Sequence, residues 1–402
     1  MLMRQLSGIG AALSRARHVK HATGKPVLQQ LSEIARLRLG DGKVMPDEYF
    51  GFGLFDDRLH DAEAKRRFIG QWAKDGVYRV NEGGWRATGD DKLVSYLVLA
   101  GLGAPHPKVR AIYHPTRDFP TTLLRTPADV ADYLRTTSYP LFSKPADGSL
   151  AECVYLLRGY DPTSDRLQLG DGRSVAVGDF IADCVRARRG TIFQELIEPH
   201  PALAALCGPR VATMRLYVLN GPSGACLHRA VLRLPTGGNM YDNFKGGASG
   251  NLLAALDDDG RIVRVIGATG GGLGEVAHHP DTGAALVGWR VPDWEQAVAT
   301  CLKAATAFPG LRVQAWDVAP TAAGPTLVEL NTHGDLDLIQ MAHRKGLMDD
   351  RWKAAVAASD SANVRPAGRS RAPLRWLNSP SNVTRALVAL ASAAVVWELA
   401  VA

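Results

Sequence analysis

Two carboxylates and an amide recur at close spacing late in the chain: Asp317, then Glu329 and Asn331 within Thr326-Leu327-Val328-Glu329-Leu330-Asn331. Side chains alternate along a strand, so Glu329 and Asn331 share one face while Val328 and Leu330 share the other. If the run Val313 to Val318 pairs antiparallel with this one across a loop from Ala319 to Pro325, Asp317 comes to lie beside Glu329. Two carboxylates that close need a proton or a cation between them, and oxygen-only donors suit magnesium or manganese better than zinc. An ordinary hairpin with exposed acids accounts for the same spacing.

Three cationic positions precede this pattern. Lys92 follows Asp90-Asp91 in the first turn of a helix expected to run to Gly103, where a lysine is unfavourable for the helix but suited to a phosphate. Lys144 ends the apolar run Tyr139 to Lys144 and is followed by a loop containing Gly148 and Ser149, a placement that lets a lysine reach phosphates while a loop covers them. Arg215 sits in the middle of the strand Val211 to Leu219, sharing a face with Thr213 and Tyr217. From there it can reach the Asp317 pocket and a transferring phosphoryl group, or make a structural ion pair with an acid.

These residues need strands to align them. From about Tyr139 onward, short β-branched and aromatic runs appear at 139–144, 154–157, 191–196, 211–219 and 226–234, separated by Gly, Pro and Asp. The first third is helical in pattern, with helices expected over Val27 to Leu39 and over Asp61 to Gly76, and a further helix over Asp293 to Phe308. The fold class is therefore α+β with mostly antiparallel strands. Boundaries fall at 1–48 (a basic helical segment), 49–138, 139–198, 199–352 and 353–402.

At 402 residues the chain has material for two or three packed units, and 46% hydrophobic with 22% charged residues is typical of a globular protein. The net charge of +7 is concentrated near the N-terminus in Arg4, Arg15, Arg17, Lys20 and Lys25, and no nucleic-acid partner is expected. Five scattered cysteines, none in C-x-x-C spacing, read as reduced core residues of a cytoplasmic protein. The apolar run Ala386 to Trp397, beyond a Ser/Pro/Arg-rich linker (Ser359 to Asn382), is shorter than the roughly 20 residues of a membrane span and suggests a packed or interfacial helix.

Several chemistries are excluded. There is no Walker P-loop, Gly270-Gly271-Gly272-Leu273-Gly274 lacks the last glycine of a dinucleotide fingerprint and reads as a mobile loop, and His278-His279 precede a proline in a turn rather than forming a zinc motif.

In order along the chain, Lys92, Lys144 with its loop, the strand end Gln194-Glu195-Leu196-Ile197, Arg215 and D-x11-E-x-N resemble the ATP-grasp superfamily. The segments Asp242-Asn243-Phe244-Lys245-Gly246-Gly247, His279-Pro280-Asp281-Thr282-Gly283 and Trp316-Asp317-Val318-Ala319 resemble more narrowly its sugar-transfer-associated subgroup, over roughly Tyr49 to Trp352. The resemblance implies two α+β subdomains clasping ATP: a lid over 139–198 and a larger subdomain over 199–352. It implies that Lys92, Lys144 and the Ser149 loop contact phosphates. Gln194 and Glu195, with the backbone through Leu196 and Ile197, would hold adenine, and Glu198 or His200 the ribose. Asp317, Glu329 and Asn331 would bind Mg2+ or Mn2+, Arg215 the transferred phosphoryl group, and Asn243 and Lys245 the acceptor.

The resemblance departs at Asp147-Gly148-Ser149-Leu150-Ala151-Glu152-Cys153, where bulk and a negative charge replace a glycine-rich stretch, so either the loop closes differently or ATP binding is weakened. The implied activity is a ligase acting on a small carboxylate and a nucleophile such as an amine, in the cytoplasm, linked to glycan-assembly proteins and touching a membrane through the C-terminal helix. An ATP-grasp kinase and a non-catalytic nucleotide-binding sensor are the alternatives.

Overall fold

The computed structural model describes residues 2–147, 153–187, 189–270 and 272–362. The chain divides into two compact units, one formed by residues up to Val80 with those from Asp335 on, the other by Asn81–Gly334.

The first unit opens with helices α1 (Leu2–Thr23), α2 (Val27–Leu39), α3 (Pro46–Gly51), α4 (Ala62–Arg66) and α5 (Gln71–Tyr78). Its apolar core gathers Ile34, Leu37, Val44, Tyr49, Phe52, Leu54 and Phe68. The single helix expected over Asp61 to Gly76 is instead two. Asp61 caps α4 by accepting from the Glu63 and Ala64 amides. Then the Ile69 amide and carbonyl are both taken by Gln340, at 2.8 and 2.9 Å, so Ile69 leaves the helical ladder. Gly70 passes so close to the segment between α2 and α3 that a Cβ would lie 2.7 Å from the Cα of Val44.

The second unit holds two seven-stranded sheets. Helices α6 (Gly83–Asp90) and α7 (Lys92–Gly101) precede strands β1 (Val109–Tyr113) and β2 (Thr122–Leu124), then α8 (Pro127–Thr136). Strands β3 (Leu141–Pro145), β4 (Tyr155–Asp161), β5 (Arg166–Leu169) and β6 (Ser174–Ala176), helix α9 (Val177–Arg186) and strand β7 (Thr191–Glu195) follow. The first sheet has the order β2-β1-β7-β3-β4-β5-β6, so β1 and β2, both before Tyr139, belong to it. Only the β1–β2 pair is parallel. Val130 and Leu134 of α8 and Phe180 of α9 pack with Leu141, Leu157 and Phe193 over one face.

After α10 (Pro201–Cys207), the second sheet is built from β8 (Thr213–Gly221), β9 (Gly224–Leu234), β10 (Leu252–Leu256), β11 (Ile262–Thr269) and β12 (Gly272–Glu275). Helix α11 (Trp294–Ala305) is followed by β13 (Val313–Thr321) and β14 (Gly324–Asn331). The order β12-β11-β10-β9-β8-β13-β14 is antiparallel throughout. The glycine run read as a mobile loop contributes Gly272 and Gly274 to β12, paired with Thr269 and Gly267. The connection expected over Ala319 to Pro325 is a tight turn, because both strands continue past it and Pro320 pairs with Pro325.

One face of this sheet is apolar: Leu216, Val218, Leu232, Trp316 and Leu330 pack with Ala297, Cys301 and Ala305 of α11. Each such buried large side chain contributes about 1.5–3 kcal/mol. The alternate residues of the same strands face the other way, and they carry the charges. Helices α12 (Leu336–His343) and α13 (Asp350–Ala362) return to the first unit, where Lys74 pairs with Asp337. Among the described residues no helix is long and apolar enough to cross a membrane. The run Ala386 to Trp397 lies outside the described residues, as does the linker beyond Ala362.

Candidate active site

The β13–β14 register sets Asp317 opposite Glu329 and Ala315 opposite Asn331, so the three oxygen-bearing side chains share the polar face. A bulge follows Asp317, and Val328 is the extra residue that keeps Glu329 and Asn331 on that face. Asn81 fixes the open end of this hairpin: its side chain donates to the carbonyls of Val313 and Thr332 at 2.8 and 3.1 Å and accepts from the Val313 amide at 2.9 Å. Gly89 of α6 abuts β14 so closely that a Cβ would lie 3.0 Å from the Leu330 carbonyl.

On the other side of β13, Arg215 of β8 lies opposite Asp317. Its Nε and Nη2 donate to the two carboxylate oxygens at 2.7 and 2.9 Å. A second arginine, Arg233 of β9, brings Nη2 to 2.9 Å from Asp317 Oδ2. Burial pushes the Asp317 carboxyl up, but the two guanidiniums outweigh it and hold the group at about 2. Arg215 is itself held above its usual value, because the charge of Asp317 exceeds the penalty of burial.

Lys92 and Lys144 reach the same place from above the sheet. The Asp91 carboxylate caps α7 at the Leu93 and Val94 amides, and the Lys92 amide donates to Ala146 just after β3. The Lys92 Nζ then stands 3.1 Å from Glu329 Oε1. Lys144, 7% exposed, donates to the Tyr96 hydroxyl at 2.8 Å, and Tyr96 donates onward to the Val328 carbonyl at 3.0 Å. Burial lowers the Lys144 ammonium to about 8, with Glu329 and Asp317 opposing that fall. Tyr96 lies one helical turn after Lys92, on the same side of α7.

Residues 80–354 match the sugar-transfer associated ATP-grasp family. The chain belongs to that family. No curated protein matches it. Among solved structures, this ATP-grasp chain is similar to an L-amino acid ligase from Bacillus licheniformis, at 13% identity and a TM-score of 0.37 over 70% of this chain and 52% of that one. It is also similar to an N5-carboxyaminoimidazole synthase from Aspergillus clavatus, at 12% identity and a TM-score of 0.35 over 66% of this chain and 51% of that one. A D-alanine-D-alanine ligase from Helicobacter pylori is similar at 11% identity and a TM-score of 0.38, over 67% and 61%. The chain thus spans about half the length of the first two.

The remaining expected residues of this ATP-grasp chain fall in two groups. Gln194 of β7 pairs with Phe142 in register and so shares the face of Lys144; it is 2% exposed, and its Oε1 has no hydrogen-bond partner. Glu195 alternates away, lies exposed and pairs with Lys108 at 3.3 Å, so its carboxylate is on the face opposite Lys144. Leu196 and Ile197 are half-buried beyond the strand end. His200 caps α10 by accepting from the Ala202 amide at 3.1 Å, and Glu198 is exposed. Asn243 accepts from Arg233 Nη1 at 3.5 Å, whereas Lys245 is exposed in a short 3-10 turn. Ser149 lies outside the described residues.

The donor set fits a hard divalent cation. Two carboxylates and an amide oxygen share one face, and the buried Asn331 Nδ2 has no hydrogen-bond partner within the protein. Arg233, Tyr96 and Asn81 were missed in the sequence; Arg233 arrives here because β8 pairs with β9 on one side and with β13 on the other.

Proposed function

We propose that this chain is an ATP-dependent ligase that activates a carboxylate as an acyl phosphate for attack by an amine or another nucleophile. The observation that carries this reading is the meeting of Lys92, Lys144 and Arg215 with Asp317, Glu329 and Asn331 in a member of the ATP-grasp family. Magnesium or manganese would be held by Asp317, Glu329 and Asn331, and when bound it supplies charge neutralisation to the ATP phosphates.

Lys144 and Lys92 hold phosphate oxygens in this reading, Lys92 exchanging Glu329 for a phosphate. The Gln194 Oε1 accepts from the adenine amino group, with the backbone from Glu195 to Ile197 completing the adenine contacts. Arg215 faces the transferred phosphoryl group, and Asn243 and Lys245 orient the acceptor. The substrate carboxylate attacks the γ-phosphorus and displaces ADP; the amine then attacks the acyl carbon and displaces inorganic phosphate. No protein nucleophile takes part, so the protein's contribution is position and charge. We place the reaction in the cytoplasm, where ATP is available, and link it to glycan assembly on the family's description.

A screen of small carboxylates in the presence of hydroxylamine tests this. A ligase releases ADP and phosphate only with its own carboxylate and yields the corresponding hydroxamate. A stable phosphorylated product, with neither free phosphate nor hydroxamate, would establish a kinase instead.

A further inference from the structure

Arg215 has a role in the proposed phosphoryl transfer and Arg233 has none, although both guanidiniums sit on the same carboxylate. Arg233 is 4% exposed. Besides Asp317, its Nε donates to Thr213 Oγ1 at 3.2 Å and lies 3.5 Å from Asp242 Oδ2, and its Nη1 reaches Asn243 Oδ1 at 3.5 Å. Asp242 in turn accepts from the Thr213 amide and hydroxyl, at 2.8 and 2.5 Å. The buried network therefore runs without a gap from Asp317 to the Asp242-Asn243 segment.

This arrangement is asymmetric. Arg215 grips Asp317 with two hydrogen bonds and is the residue directly opposite it. Arg233 makes one contact to Asp317 and has a second acid, a hydroxyl and an amide within reach. A buried guanidinium that gives up its carboxylate is strongly destabilising unless another anion or acceptor takes it over. Arg233 has that alternative beside it. A divalent ion approaching Asp317 meets two positive charges already in place, and Arg233 is the one that can withdraw.

We infer that Arg233 is a positioning residue which holds Asp317 as an internal counter-ion and keeps divalent ions off it, and that its withdrawal toward Asp242 and Asn243 opens the Oδ2 side of the carboxylate while Arg215 stays in place. The inference rests on the reading of Asp317 as a metal carboxylate. It couples the segment assigned to the acceptor to the metal-binding strand, with one side chain as the link.

The test is Mn2+ alone, titrated into the full chain, with free Mn2+ read by electron paramagnetic resonance. Removing one positive charge this close to a divalent ion changes the interaction strongly even at the effective dielectric of a protein, so Arg233→Met is expected to bind Mn2+ at least about tenfold more tightly than the unchanged chain. A merely structural arginine gives the opposite sign, because its loss loosens the site and weakens binding. Arg233→Lys, which retains the charge, is expected to stay near the unchanged affinity, and adding Asp317→Asn to Arg233→Met is expected to abolish the gain. Should Arg233→Met fail to fold, Arg233→Gln, which can still bond Thr213, carries the same expectation. Equal or weaker Mn2+ binding by a folded neutral variant overturns the inference; if Asp317→Asn alone still removes the binding, the metal reading survives that result. Absence of any Asp317-dependent Mn2+ binding overturns both.

Discussion

Lys144 carries its charge where charge is costly. Burial brings its ammonium from 10.5 to about 8. Below pH 8 the group is protonated in both folded and unfolded chains, and its burial destabilises the fold; as pH rises from 8 toward 10.5 the folded chain loses the proton first and the penalty is relieved. Lys144→Met is therefore expected to stabilise the chain at pH 7, by on the order of 1–3 kcal/mol in urea denaturation, while weakening nucleotide binding. Unchanged or lower stability would show that the ammonium is not strained. A phosphate beside Lys144 restores its proton, so calorimetry of ADP binding in buffers of different ionisation enthalpy should show proton uptake at pH 8 to 9 and none near pH 6, and Lys144→Arg should abolish it. Lys144 itself was legible because a lysine ending an apolar strand is conspicuous. Its partner Tyr96 was not, since a tyrosine within the apolar helix Lys92–Gly101 reads as core until the helix is set against β14.

At the scale of elements, the β13–β14 hairpin was legible in its chemistry and misread in its turn. Alternation is written into residue type, so Asp317 and Glu329 could be placed side by side from the sequence. Pro320 and Pro325 read as strand breakers. In the structure β8 pairs with β13 only as far as Val318, so Pro320 lies where no ladder bond is needed from it, and Pro325 lies on an edge strand. Arg233 escaped for a related reason: β8 and β9 form a local hairpin, but strand order, which local pattern does not encode, decides that β13 flanks β8 and brings Asp317 within reach. The approach of α6 to β14 gives a direct test. Glycine to alanine inside a helix ordinarily gains about 1 kcal/mol. At Gly89 the new methyl meets the Leu330 carbonyl at 3.0 Å and the Thr332 methyl at 2.4 Å. Gly89→Ala is therefore expected to lower stability by about 1–3 kcal/mol. A stabilised variant in equilibrium denaturation would contradict that packing.

For the whole molecule, the helical unit and the Asn81–Gly334 unit each have their own buried core, and this division was only partly readable. The change from helical to strand pattern marked the sheets, but β1, as long as β3 and β7, and the three-residue β2 went unread because both precede that change, and nothing local shows that the chain after Gly334 rejoins its beginning. Lys25 and Lys65 pair with Glu33 at 2.7 and 3.0 Å within the first unit, and none of the residues assigned to nucleotide belongs to that unit. Calorimetric unfolding should consequently respond unevenly to nucleotide. ADP with magnesium at about 100 times its dissociation constant is expected to stabilise the Asn81–Gly334 unit by about 2.7 kcal/mol. Hydrogen exchange should show the added protection in β3, β7, β13 and β14, with the helices before Val80 unchanged; protection confined to those helices would place the nucleotide elsewhere.

Lys144 and Asp317, in the proposed function, serve one nucleotide site. The most direct measurement is magnesium-dependent ATP binding by the full chain, by calorimetry, for the unchanged protein beside Lys144→Met and Asp317→Asn. The expected result is binding that requires magnesium and falls at least about tenfold in each variant, the loss of a charged contact being worth roughly 1.5–3 kcal/mol. ATP binding that both variants retain in full would contradict it.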